Sequence, residues 1–322
     1  MKKLLFTLTV LLLTSTICNA VVTGIAGFYR QGQVFLTWNK VTGNSIFYKV
    51  YRSNELISGI TNLSACEYLG KTDSKSAKDF DMSVHDGTDV YFRIDSAGPR
   101  LSSDNCLFVA TTLSDGAYFY AVTIETNGIE DMTIVPGSNV LSTPLAETVM
   151  TPLPVFQEQR STEGIAYDIY AYFLSTRIDP YQQLLKQAGF FGSDFAVLRN
   201  NTPGLHPLRV KFHGGGVDFL SGITTTQQGE IILSCEDNFP SGETSAWWGT
   251  NENFDIYSAK NNVTPPVSGI NYSYTLRRLS AIIDWTITHL PVDTNRIYMD
   301  GVSFGAPGAY FYTITYPEKI AA

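Results

Sequence analysis

Arg296-Ile297-Tyr298-Met299-Asp300, followed at once by Gly301-Val302-Ser303-Phe304-Gly305 and then Ala306-Pro307-Gly308, is the stretch on which the fold turns. The residues Ile297-Tyr298-Met299 read as a short last strand, and the apolar run after Gly305 reads as the start of a helix. A G-x-S-x-G turn between a strand and a helix folds tightly because glycine tolerates the backbone angles. Its serine is left strained and exposed at the strand end. Ser303 is therefore the candidate nucleophile, with Gly301 and Gly305 as the residues that permit the turn.

Upstream, the strand-like run Leu208-Arg209-Val210-Lys211-Phe212 ends in His213-Gly214-Gly215-Gly216. Three glycines leave backbone N–H groups unobstructed, as an oxyanion forming on an attacked carbonyl requires. Tyr167 to Leu174, Phe195 to Leu198 and Glu230 to Leu233 are further strand-like runs. Residues 271–290 predict a helix, with Leu276, Leu279, Ile283, Ile287 and Leu290 on one face and Pro291 ending it. Strands alternating with a long helix predict an α/β fold, a mostly parallel sheet with helices on both faces. Arg209 and Lys211 depart from that scheme, since a strand covered on both faces is nearly all apolar.

These residues resemble the α/β-hydrolase superfamily. The stretch from Val292-Asp293-Thr294-Asn295 through Ser303 to Tyr316-Pro317-Glu318 is similar to secreted serine esterases, including polyhydroxyalkanoate-depolymerase-like and feruloyl or acetyl-xylan esterases. The resemblance implies Ser303 as nucleophile and an oxyanion hole from the N–H groups of Phe304, Gly215 and Gly216, with Gly214 open as a substitute for one glycine. It implies a loop-shaping role for His213, and an ester substrate, polysaccharide-linked or polyester. In this fold the triad runs Ser, then Asp or Glu, then His. After Ser303 there is no histidine, and the only acid is Glu318, near the far end of the nucleophile helix. His85, His206, His213 and His289 all precede the serine. The triad acid and base are thus expected in a C-terminal part beyond Ala322, and the chain as given is expected to show no esterase turnover. Trp247, Trp248 and Phe254 lie in a Gly- and Asn-rich segment, where stacking on substrate and core packing both stay open.

Two other readings compete. A prolyl-oligopeptidase-like peptidase also tolerates an aromatic residue after the serine, but about 120 residues of sandwich cannot supply its propeller blades. A non-catalytic exported binding or adhesion protein with a vestigial hydrolase segment draws on the missing acid and base.

Residues 21–141 read as many short strands without helical periodicity, an antiparallel all-β sandwich. Val22-Thr23-Gly24-Ile25, Val34 to Trp38, Tyr48 to Arg52, and Tyr118 to Thr123 before Asn127-Gly128 resemble strands of a fibronectin type III module. That resemblance implies a corner role for Tyr120, its hydroxyl tied back to the backbone. Asp79, Asp81, Asp86 and Asp89 offer the oxygens calcium prefers, but the glycine and terminal glutamate of a calcium loop are lacking, so the cluster reads as a solvated turn. Residues 142–157, with Pro144, Pro152 and Pro154, read as a stiff linker, and 158–322 as the hydrolase domain.

Residues 1–20 have the layout of a cleavable secretory signal peptide: Lys2-Lys3, an apolar run from Leu4 to Leu13, then Cys18-Asn19-Ala20. A lipoprotein signal acylated at Cys18 is the rival, though Ile17 stands where a small residue is wanted. The protein is expected to be secreted or periplasmic and bacterial. In an oxidising compartment Cys66 and Cys106 are able to pair, while Cys235 reads as a buried small hydrophobe.

The whole sequence carries 22 basic and 30 acidic residues, a net charge of -8, with 44% apolar, 13% aromatic and 16% charged residues. Such a composition excludes a disordered chain and a basic nucleic-acid binder. No metal-ligand cluster, nucleotide-binding glycine loop or membrane span appears in the sequence, so no cofactor is implied. Oligomeric state is not readable.

Overall fold

The computed structural model describes residues 21–177, 185–223, 229–259 and 264–321. The signal read at residues 1–20 lies outside them. The N-terminal half holds strands β1 (Thr23–Arg30), β2 (Gln33–Asn39), β3 (Ile46–Ser53) and β4 (Glu67–Asp73), then helix α1 (Phe80–Asp86). Strands β5 (Asn105–Thr111), β6 (Gly116–Thr126), β7 (Ile129–Asp131) and β8 (Leu145–Glu147) follow. They form a three-stranded sheet β1-β2-β5 and a five-stranded sheet ordered β8-β6-β3-β4, with β7 also on β6. Strand β3 shows why: Ile46, Tyr48, Val50 and Arg52 are buried and their neighbours only partly so, the period of two that a half-covered sheet imposes. Val34, Leu36 and Trp38 of one sheet meet Tyr48, Val50, Tyr120 and Val122 of the other in one core.

Three expectations for this half change. Helix α1 occupies a region read as all strand and turn; Asp79 caps it, accepting from the Met82 N–H at 3.0 Å. Asp79 and Asp81 are buried, so the four aspartates are not a solvated turn. Asp86 and Asp89 are exposed and pair with Arg160 and Lys78. The Tyr120 hydroxyl donates to the Glu147 carboxylate rather than to backbone. Glu147 is buried, also accepts from Thr112 Oγ1 at 2.9 Å and faces Arg52. Cys66, Cys106 and Cys235 are all free thiols, the last two buried.

The C-terminal half is built on β9 (Val155–Thr162), β10 (Ile165–Ser175), β11 (Phe190–Leu198), β12 (His206–Phe212) and β13 (Ile231–Cys235). Helix α2 (Tyr274–His289), strand β14 (Val292–Gly301) and helix α3 (Gly305–Thr315) complete it. One six-stranded sheet runs β9-β10-β11-β13-β12-β14. Only the β13–β12 and β12–β14 pairs are parallel; the rest are antiparallel. The sheet is therefore mixed, not mostly parallel.

Helices α2 and α3 share one face, where Leu276, Leu279, Ile283 and Tyr312 pack on Leu208, Val210, Phe212 and Leu233. On the opposite face a short 3-10 turn at Phe219–Gly222 and Met82 of α1 cover Ile169, Ala196 and Ile232. Arg209 and Lys211 lie half-buried on that face, each paired with an acid. Arg209 forks onto Glu230 at 2.7 and 2.8 Å, and Lys211 reaches Asp300 at 2.7 Å. These pairs, with the side-chain stems lying along the sheet, are why β12 tolerates two basic residues.

Segment 142–157 is not a free linker at either end: β8 adds to the sandwich and β9 to the main sheet. Phe173 of β10 meets Phe35 edge-on at 5.5 Å and Phe92 at 5.1 Å, and Phe108 meets Phe190 at 5.3 Å. Lys71 N–H donates to Gln187 O at 2.7 Å, and Gln33 Nε2 to Phe173 O at 2.8 Å. The two halves thus share a core. Among the described residues no helix is long and apolar enough to cross a membrane.

Candidate active site

Strands β13, β12 and β14 end level with one another, since Phe212 pairs with Cys235 on one side and Gly301 on the other. The chain leaving β12 goes first to β13 on one flank and later to β14 on the other. The crevice beyond β12 is therefore a switch point of the topology, the place where open sheets of this kind bind ligands. His213 to Gly216 stand directly in it, with Glu236 and Ser303 on either side.

Ser303 has φ of 51°, a left-handed conformation that a residue with a Cβ enters only at a cost. The turn leaves it no slack. The Val302 N–H donates to Phe212 O at 3.2 Å, the Gly305 N–H to Val302 O at 2.8 Å, and the Ala306 N–H to Ser303 O at 3.1 Å. A Cβ on Gly301 would sit 2.3 Å from Gly305 O, and one on Gly305 2.1 Å from Phe212 O. The side chain of Ser303 is exposed at the N-terminus of α3, where the helix dipole favours negative charge.

The glycine loop faces this turn. A Cβ on Gly214 would come within 3.4 Å of Ser303 Cβ, and one on Gly215 within 3.9 Å of Phe304 Cβ; Gly216, at φ of 81°, has nothing within 4 Å. Gly214 is buried while Gly215 and Gly216 are exposed. The N–H groups of Gly215, Gly216 and Phe304 have no partner among the described residues. Free donors beside an exposed serine are what an attacked carbonyl needs.

His213 is buried behind the loop. Its Nε2 lies 2.8 Å from Glu236 Oε1 and its Nδ1 2.9 Å from Gly214 O. Both ring nitrogens face acceptors, so both bonds form only when the ring is the doubly protonated imidazolium. Burial opposes that charge, and the Glu236 carboxylate outweighs it, raising the pKa above the ordinary histidine value. Glu236 is fully buried; it also accepts from the N–H groups of Asp237 at 2.7 Å, Asn238 at 3.2 Å and Phe219 at 3.2 Å. Asp237, next along, has its pKa pushed up to about 6 by burial, although Ser245 and the Trp247 N–H both donate to it. Glu236 was missed in the sequence. Its signal was there: an acid immediately after the buried run Ile231 to Cys235.

Trp247 is fully buried, 4.9 Å from the His213 ring and 5.0 Å from Phe212, and a Cβ on Gly308 would lie 2.4 Å from its own Cβ. It is the floor under the turn, not a surface for substrate; Trp248 is half-buried against the same core.

No protein-family model matches the chain, and no curated protein matches it. Among solved structures it is similar to an S-formylglutathione hydrolase from Agrobacterium tumefaciens, at 15% identity over 51% of this chain and 58% of that one, with a TM-score of 0.33. An acetyl xylan esterase from Aspergillus awamori matches at 16% identity over 51% and 49%, with a TM-score of 0.28. The enterochelin esterase from Shigella flexneri matches at 9% over 92% and 71%, with a TM-score of 0.27. The chain spans about half the length of the solved structures it matches first. Likenesses this distant bear no weight on the chemistry, which rests on the residues themselves.

Among the described residues no histidine is placed to serve Ser303 as a base. His85 is held by Asp218 at 2.7 Å, His206 by Thr202 O at 2.9 Å, and His289 by Trp285 O at 2.8 Å. With His213 on Glu236, none of the four hydrogen-bonds the serine.

Proposed function

We propose that Ser303 is the nucleophile of an exported serine hydrolase acting on carboxylic esters. The observation that carries this reading is the strained, exposed serine set against free backbone N–H groups at the switch point of the sheet. Attack by Ser303 Oγ on the ester carbonyl would form a tetrahedral oxyanion, which Phe304 N–H and the glycine-loop N–H groups would stabilise. Collapse would expel the alcohol and leave an acyl-serine for water to hydrolyse. Gly214 and Gly215 touch the turn more closely than Gly216 does, which favours them as donors. The acid and base are assigned to the full-length protein outside the described residues, because all four histidines are held elsewhere. Polysaccharide-linked esters or polyesters, export through residues 1–20 and a fibronectin type III-like identity for the sandwich belong to the same reading. The β1-β2-β5 and β8-β6-β3-β4 strand orders support the last of these.

A fluorophosphonate probe on the full-length protein tests it: labelling at Ser303 is expected, and an unlabelled Ser303 overturns it. The four occupied histidines favour a second reading, a binding protein that keeps the hydrolase frame without turnover. An unlabelled serine is the result that reading requires.

A further inference from the structure

A cavity of about 320 Å³ lies between the sandwich and the main sheet. Phe80 and Phe92 line it from one half, Phe191 and Phe239 from the other, with Asp81, Asn238 and Lys75 among its polar residues. It opens on the same edge of the sheet as Ser303. Phe191 begins β11, which runs antiparallel to β13, and Asn238 and Phe239 follow Glu236 beyond the end of β13. Three strand spacings separate it from the serine, roughly 14 Å along the edge.

We propose that this cavity binds a neutral sugar ring. Its volume is at the lower end of small-ligand sites, roughly 300–1,000 Å³. Aromatic residues from both halves line it, apolar partners for the C–H face of a pyranose. The polar groups supply both kinds of partner that hydroxyls demand. Asp81 is buried, and its Oδ1 has no hydrogen-bond partner. The side-chain amide of Asn238 is unbonded among the described residues and presents a donor and an acceptor. Lys75 is exposed and donates. Burial also holds the Asp81 carboxyl well above the ordinary aspartate range, which fits a protonated group that donates to a sugar oxygen. The site stands independently of whether Ser303 reacts.

Saturation-transfer NMR and calorimetry with xylobiose and methyl β-glucopyranoside, on the chain and on its Ser303→Ala variant, test the proposal. At least one sugar is expected to bind both proteins equally, with protons of one ring face saturated most. Phe80→Ala and Asn238→Ala are each expected to weaken binding tenfold or more. Lys75→Ala, at an exposed position where misfolding is not at issue, is expected to weaken it about threefold. Failure of both sugars to bind overturns the proposal, as does binding unchanged by all three substitutions. Binding of benzylamine or phenol in place of the sugars overturns it too.

Discussion

Ser303 pays for its exposure in backbone conformation. A left-handed φ costs a residue with a Cβ about 1–2 kcal/mol, and glycine escapes that cost. Ser303→Gly is therefore expected to raise stability by about 1 kcal/mol while abolishing probe labelling, read from chemical denaturation and mass spectrometry together. His213 makes the opposite contribution. Its pKa is raised in the fold, so the stability it lends is fully present below the unfolded value near ~6.5 and is lost as pH rises through the higher folded value. Stability is expected to decline with pH above that point, and His213→Gln to flatten the decline. The ring ¹⁵N shifts should report a titration midpoint above that of a histidine in the unfolded chain; a midpoint at or below it would exclude a His213 cation stabilised beneath the loop.

At the scale of elements, the turn from β14 into α3 depends on glycines that cannot be replaced. A Cβ on Gly305 would strike the Phe212 carbonyl, which is held in the sheet, so neither atom has room to yield. Gly305→Ala is expected to cost about 3 kcal/mol or more, measured by urea unfolding, whereas Gly204→Ala should cost far less. Gly204, unlike Gly305, has a positive φ, but a Cβ there meets nothing within 4 Å. Much of this region was legible: Leu208 to Phe212, Ile231 to Leu233 and the apolar face of α2 are local patterns with a definite period. Strand direction was not legible, because a run such as Phe195 to Leu198 reads alike in a parallel or antiparallel pair. Strand β9 was hidden beside Pro152 and Pro154. Helix α1 escaped notice because seven residues show too little periodicity. The Glu236–His213 pair joins positions whose meeting only the parallel β12–β13 ladder explains.

Taken whole, the molecule has a sandwich and a six-stranded mixed sheet that lean on the same phenylalanines. Phe173 is nearly fully buried between Phe35 and Phe92 on one side and its own sheet on the other. Phe173→Ala is expected to cost about 3–5 kcal/mol and to speed amide hydrogen exchange in β2 and β5 as well as in β10. Exchange accelerated in the main sheet alone would show that the two halves unfold separately. One feature of β14 reaches further. Among the described residues it is the last strand of its sheet, paired on one side only with β12, and the N–H of Ala321 returns to it, donating to Ile297 O at 3.0 Å. The strand that leads into the Ser303 turn is thus an edge strand, whose unpaired backbone groups are open to pairing with another strand.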